Sequence, residues 1–235
     1  MADRLQLTAA QIHNLAYGGA TTGSLNPQTD PTGSANFVPS LLSQVAFLTQ
    51  TNQQAEQTLN PDALYVLWAG ANDYLQGGTG IPASRSVANI AEAIESLMDL
   101  GAKRFLIANL PDLGQLPGTR NGAESEALSS LTQTHNQQLQ QRLISLSQQD
   151  ADLQVVLLNV ERLYQEVLLH PDSFGFTNAT DACLNAQNIC DNPDRFLFWD
   201  SIHPTTTAHQ RLADTALTAL EANNGDDRFY ESILP

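Results

Sequence analysis

Ala63-Leu64-Tyr65-Val66-Leu67-Trp68-Ala69-Gly70-Ala71-Asn72-Asp73-Tyr74 is the stretch that decides how this chain folds. An apolar run halts at a glycine and gives way to a polar turn. A run this short, bounded this way, reads as a strand covered on both faces, as strands are in a parallel sheet. Two further runs share its character, 104–110 and 153–160, each rich in Leu, Val and Ile and closed by a turn-like cluster. Helical patterns lie between and around them. Segments 87–100 and 127–146 carry apolar residues at three-and-four spacing, the second with a Gln-rich outer face, and 38–48 and 208–220 read as helices too. Strands that alternate with helices need right-handed crossovers. The expected fold class is therefore α/β, a three-layer α/β/α sandwich with a mostly parallel sheet. A further short strand is expected over 12–17, ahead of Gly18-Gly19-Ala20-Thr21-Thr22-Gly23.

Segment 21–34, dominated by Thr, Gly, Pro, Asn and Ser, reads as a loop and not a linker, because patterned structure resumes directly after it. A second irregular stretch spans 174–194. There is no internal repeat, and a single domain over residues 1–235 is the expectation at this length. Apolar residues make up 42% and charged residues 15%, a globular composition and not a disordered one. Ten basic residues against twenty-five acidic ones leave a net charge of −15, which argues against nucleic acid or an anionic membrane as partner. No apolar run approaches the roughly 18 residues of a membrane helix. Met1-Ala2-Asp3-Arg4-Leu5 lacks the apolar centre of a secretory signal. Cys183 and Cys190 share one polar loop. They suit a local disulfide, which would favour an oxidising compartment, or equally two reduced thiols; neither has the spacing of a zinc site.

Three segments carry side chains suited to one chemistry. In Phe198-Trp199-Asp200-Ser201-Ile202-His203-Pro204 a carboxylate and an imidazole stand three residues apart, so both can project from one turn. That is the orienter and base of a nucleophilic hydrolase; the plainer alternative is a surface Asp and a His near a helix start, with Pro204 in the first turn. Asn72 follows a strand that ends where open α/β sheets place their sites, and its amide can donate to a developing oxyanion; otherwise Asn72 or Asp73 caps the next turn. Gly19 follows a predicted strand and permits positive φ. Its backbone N–H can serve as a second oxyanion donor, or it simply makes a tight turn.

Taken together, in order and in spacing, these segments resemble a GDSL esterase/lipase of the SGNH hydrolase superfamily. Asn14-Leu15-Ala16-Tyr17-Gly18-Gly19-Ala20-Thr21 resembles that family's second block, Gly70-Ala71-Asn72-Asp73 its third and Asp200-Ser201-Ile202-His203 its fifth. The resemblance extends over the whole chain, through Ile107-Ala108-Asn109-Leu110-Pro111-Asp112 and Asn192-Pro193-Asp194. It implies a flavodoxin-like sheet of order 2-1-3-4-5, hydrolysis of a small-molecule or lipid acyl ester, and no metal or cofactor. It implies Gly19 and Asn72 as oxyanion donors, Asp200 as orienter and His203 as general base. The family's nucleophile is a serine in a Gly-Asp-Ser-Leu block on the first strand. Here thirteen residues precede Asn14 and none is serine, and Met1-Ala2-Asp3-Arg4-Leu5-Gln6-Leu7 resembles the end of the helix that follows that strand. The chain as it stands is expected to lack its nucleophile and its first strand, and any export signal would precede Met1. Ser24, without an aspartate or a strand before it, and Ser201, wedged between Asp200 and His203, are not expected to substitute. The rival reading is an inert protein that keeps the pocket and binds an ester, an acetylated sugar or a lipid.

Overall fold

The apolar runs form the centre of a parallel sheet in the computed structural model, which describes residues 1–2, 4–23, 38–186, 188–223 and 229–231. Strands β1 (Leu64–Leu67), β2 (Arg104–Ala108) and β3 (Gln154–Leu158) pair in that order. Two short strands, β4 (Asn178–Ala182) and β5 (Phe196–Phe198), make a separate parallel pair, and β6 (Phe229–Glu231) adds to the main sheet beside β3. The helices are α1 (Leu41–Gln54), α2 (Ala71–Gly77), α3 (Ala83–Met98), α4 (Ser125–Gln149), α5 (Val160–Leu169) and α6 (Thr206–Ala222).

Side-chain alternation along β2 and β3 explains the three layers, since successive residues of a strand face opposite ways. Phe105, Ile107, Val155 and Leu157 pack with α1, α3 and the second half of α4, through Val45, Ile94 and Leu143. Leu106, Ala108, Val156 and Leu158 face a second cluster built from α5, α6 and β5, with Leu163, Leu212 and Leu197 among its members. Both faces are dry, so the strands read as unbroken apolar runs.

Caps set several boundaries. Ser40 accepts a hydrogen bond from the Ser43 N–H and Thr205 from the Ala208 N–H, so the helices expected from residues 38 and 208 begin at 41 and 206. Pro204 therefore precedes the cap of α6 and does not enter its first turn. Asn159 caps α5 by accepting from the Arg162 N–H, which ends the run expected as a strand to residue 160 at Leu158. Helices α2 and α5 and strands β4 to β6 are additions to the expected set.

The strand expected over 12–17 does not form. A 3₁₀ turn, Ala9–Gln11, is followed by irregular backbone, with Ile12 41% and Tyr17 55% exposed. A strand exists only with a ladder partner. Among the described residues nothing pairs with the outer side of β1, where Val66 is 52% exposed, so segment 12–17 has no neighbour to zip against. The β1-β2-β3 order corresponds to the 3-4-5 part of the expected sheet. At the start of the chain, the Leu5 N–H donates to the Met1 carbonyl and the Leu7 N–H to that of Ala2, with Gln6 at φ 56. That is the geometry of a helix C-terminus, anchored by an ion pair of 2.8 Å from Arg4 to Asp214 on α6.

Candidate active site

Asp200 and His203 occupy a tight loop between β5 and α6. The Trp199 N–H donates to the His203 carbonyl at 2.8 Å, closing the loop on itself. Asp200 Oδ1 then accepts from the backbone N–H groups of Ile202 at 2.9 Å and His203 at 2.7 Å, while Oδ2 lies 2.9 Å from His203 Nδ1. Partial burial pushes the Asp200 carboxyl up, but the two N–H donors and the imidazole outweigh it and hold the group below the usual carboxylate range. The carboxylate thus holds the Nδ1 side of an exposed ring, and the Nε2 side is turned away from Asp200. The pair is held by bonds within the β5–α6 connection.

Residues 70–73 build a second centre just beyond β1. Gly70, at φ 118, is the N-cap of α2, and the turn it makes places Asn72, Asp73 and Tyr74 in the first turns of that helix. Neither Asn72 nor Asp73 caps it. Asn72 Nδ2 donates to the Ala20 carbonyl at 3.0 Å, and its Oδ1 accepts from Gln76 Nε2 at 3.0 Å; Gln76 also reaches the Gly19 carbonyl at 3.3 Å. One Nδ2 hydrogen of Asn72 remains beyond the bond to Ala20. Gly19 sits at φ 81, which only glycine adopts without strain.

Asp73 is the side chain that sequence reasoning passed over as a mere cap. Its carboxylate is only 5% exposed and accepts from the Thr22 N–H at 2.9 Å and from Thr22 Oγ1 at 2.5 Å. Asn89 on α3 donates to the same Thr22 hydroxyl at 3.0 Å. The Gly19 loop is thereby clamped to the Asn72 turn across 51 positions of chain. The N-terminus of α1 joins the clamp through the Leu41 N–H, which donates to the Thr21 carbonyl at 2.9 Å. Burial is the dominant influence on Asp73 and, against the Thr22 hydrogen bonds, raises its pKa.

The two centres rest on one support. Tyr74 and Ala71 from α2, Phe198 at the end of β5 and Ile202 from the Asp200 loop pack on the apolar cluster that holds Ala108, Leu110 and Leu158 at the C-terminal ends of β2 and β3. Beside Asp200 and Ser201 lies an open cleft of about 660 Å³, walled by Pro117 and Arg120 and by Leu184 and Ala186. The latter two belong to a loop that a Cys183–Cys190 disulfide closes, with Cα atoms 4.9 Å apart. That loop is stitched to the end of β5 by the Cys183 N–H, which donates to the Phe198 carbonyl at 3.0 Å, and the Leu184 N–H, which donates to that of Trp199 at 2.6 Å. Ser201 is turned onto Gly118, whose N–H donates to the Ser201 carbonyl at 2.8 Å. Among the described residues no serine hydroxyl bonds the His203 ring; Ser24 lies outside them.

The sequence also matches known proteins. The family model for GDSL-like lipase/acylhydrolase matches residues 1–216. The chain is 31% identical to the phosphatidylcholine-sterol acyltransferase of Aeromonas hydrophila, over 71% of this chain and 63% of that protein. It is 26% identical to the thermolabile hemolysin of Vibrio parahaemolyticus, over 88% of this chain and 50% of the hemolysin. It is 30% identical to esterase EstA of Pseudomonas aeruginosa, over 69% of this chain and 27% of the esterase. The chain thus spans between 27% and 63% of the length of these three relatives.

Proposed function

The chain belongs to the GDSL-like lipase/acylhydrolase family, and from that premise we propose that it carries the base and the oxyanion donors of a carboxylic-ester hydrolase. The observation that carries this reading is the Asp200–His203 pair, with Nδ1 held 2.9 Å from the carboxylate. In the reaction a serine hydroxyl attacks the ester carbonyl while His203 Nε2 takes its proton. The tetrahedral oxyanion is received by the Gly19 N–H, the second Nδ2 hydrogen of Asn72 and the serine's own N–H. His203 passes its proton to the departing alcohol, then activates water to release the acid and regenerate the serine. Transfer of the acyl group to another alcohol in place of water follows the same steps. The cleft beside Asp200, walled in part by Pro117, Leu184 and Ala186, is the place for an apolar portion of the ester.

The serine is the component the described residues do not offer, and the open side of β1 is where a strand bearing it would fit. A parallel strand there would cover Val66 and end beside Gly70. The disulfide suits work in an oxidising compartment. A second reading, a nucleophile-free protein that retains the pocket to hold an ester or a lipid, draws on the fact that the His203 ring bonds Asp200 and, among the described residues, no serine.

A fluorophosphonate probe separates the two, because it labels only a serine that a base activates and an oxyanion hole serves. Residues 1–235 are expected to take no stoichiometric label. A form extended by a Gly-Asp-Ser strand is expected to label, to hydrolyse short p-nitrophenyl esters and to lose both with His203→Ala. Labelling of the extended form that survives His203→Ala would overturn the assignment, and an extended form that never labels would leave the binding reading.

A further inference from the structure

His135 lies in the middle of α4, with none of its surface exposed, and takes no part in the chemistry above. Its Nδ1 lies 2.8 Å from the Tyr74 hydroxyl, and the two rings meet edge to face with centroids 5.7 Å apart. The imidazole presses on the Gly70 turn. A Cβ at Gly70 would come within 2.9 Å of His135 Cε1 and 3.3 Å of Ser86 Oγ on α3. His135 Nε2 is buried and finds no partner among the described residues, and Ser86 Oγ, equally buried, lies by the Tyr74 hydroxyl, where it counters part of the rise that burial imposes on the Tyr74 pKa.

A buried polar atom without a partner costs roughly 1–3 kcal/mol, which an apolar side chain of similar size would avoid. Packing alone therefore does not account for a histidine here. What His135 and Ser86 share is the backbone at Gly70, the N-cap from which α2 starts, two residues ahead of Asn72. Three consecutive side chains of α2 diverge to three anchors: Asn72 to the Ala20 carbonyl, Asp73 to Thr22 and Tyr74 to His135. The first two ties join α2 to the Gly19 loop. The third ties it directly to α4.

We propose that His135, held by Tyr74 and backed by Ser86, is a positioning residue that sets the direction of the Asn72 amide through the Gly70 turn. The proposal rests on the reading of Asn72 as an oxyanion donor. His135 touches no reacting atom; it sets the donor's aim by holding the turn from behind. Burial depresses the pKa of His135 to about 4, so the ring is neutral at ordinary pH and places a dipole, not a charge, against the turn.

The test uses Tyr74→Phe, which removes one oxygen, and His135→Phe, which keeps an aromatic ring, each read in two ways. In isotope-labelled residues 1–235, both substitutions are expected to shift or broaden the Asn72 side-chain amide signals and to leave those of the disulfide loop in place. In the extended, serine-bearing form, both are expected to lower kcat by about tenfold with KM unchanged, part of the loss that follows complete removal of an oxyanion donor. Should His135→Phe fail to fold, Tyr74→Phe carries both readouts. Asn72 signals and kcat that stay put in the folded variants would overturn the proposal, even with His203-dependent hydrolysis intact. Asn72 signals that move in a protein without any hydrolysis would uphold the positioning role and defeat the esterase reading instead.

Discussion

Replacing Asp73 by asparagine should destabilise the protein, and by more at low pH than at high. The carboxylate receives two hydrogen bonds from Thr22, at 2.9 and 2.5 Å, in a site that water barely reaches. Hydrogen bonds to a charged group contribute about 1.5–3 kcal/mol each, and the desolvation of the carboxylate offsets part of that sum. The amide oxygen of the new side chain can still accept the Thr22 N–H. Its NH₂ group then faces a hydroxyl that already accepts from Asn89 and has lost the acceptor for its own proton. The net cost should be about 1–2 kcal/mol, and Asp73→Ala, which strands both Thr22 donors, should cost about 2–4 kcal/mol. The pH dependence follows from burial. Because the folded-state pKa of Asp73 is raised, the folded protein holds a proton that the unfolded chain has released, and the wild type loses stability as pH rises through that range. The amide in the variant does not titrate, so the gap between the two proteins should narrow from acid to neutral pH. Urea unfolding with linear extrapolation at several pH values measures it, and the contributions of other groups cancel in the difference. A variant as stable as the wild type would show that Thr22 is not held through Asp73. A gap that widens as pH rises would mean that the Thr22 hydrogen bonds, and not burial, dominate the carboxyl.

Gly70→Ala should lower stability by at least about 2 kcal/mol, since φ 118 admits no side chain cheaply and the new methyl would meet His135 Cε1 at 2.9 Å; a thermal melt indistinguishable from wild type would contradict this. Losing the Cys183–Cys190 bond, which spans a sequence separation of 7, should cost about 2.5 kcal/mol by chain entropy, read as the shift in urea midpoint between oxidised protein and Cys183→Ser/Cys190→Ser. An unmoved midpoint would mean that the loop is held by its backbone bonds to β5 alone. His135 should make the fold acid-sensitive. Between about pH 6.5 and 4 the unfolded chain binds a proton that the buried ring refuses, so stability falls as pH falls, by about 3 kcal/mol in all. His135→Phe should remove that slope, and an unchanged slope in the variant would refute the assignment.

The amino-acid sequence by itself determined the parallel sheet and the Asp200–His203 pair, and for the same reason. Strands β2 and β3 are dry on both faces, so each residue of the run 104–108 or 154–158 reports its own burial without reference to any partner. Asp200 and His203 are three residues apart, and the loop that joins them is closed by its own backbone. Local pattern also located Gly70 and Asn72, because a glycine after an apolar strand marks a turn wherever the chain goes next. It failed at 12–17, where β propensity suggested a strand and no neighbour exists to pair with it among the described residues. It failed at β4, whose Asn178-Ala179-Thr180-Asp181-Ala182 has no apolar pattern and becomes a strand only because β5 lies alongside. Only the tertiary structure decided that Asp73 holds Thr22 and that His135 lies behind Gly70. Those partners are 51 and 65 positions apart, so neither contact leaves a periodicity in the chain. A polar residue near a helix start looks the same in sequence whether it caps the helix or clamps a distant loop. What separates the two outcomes is the folded core, which takes the water away and leaves the buried group only one partner to bond.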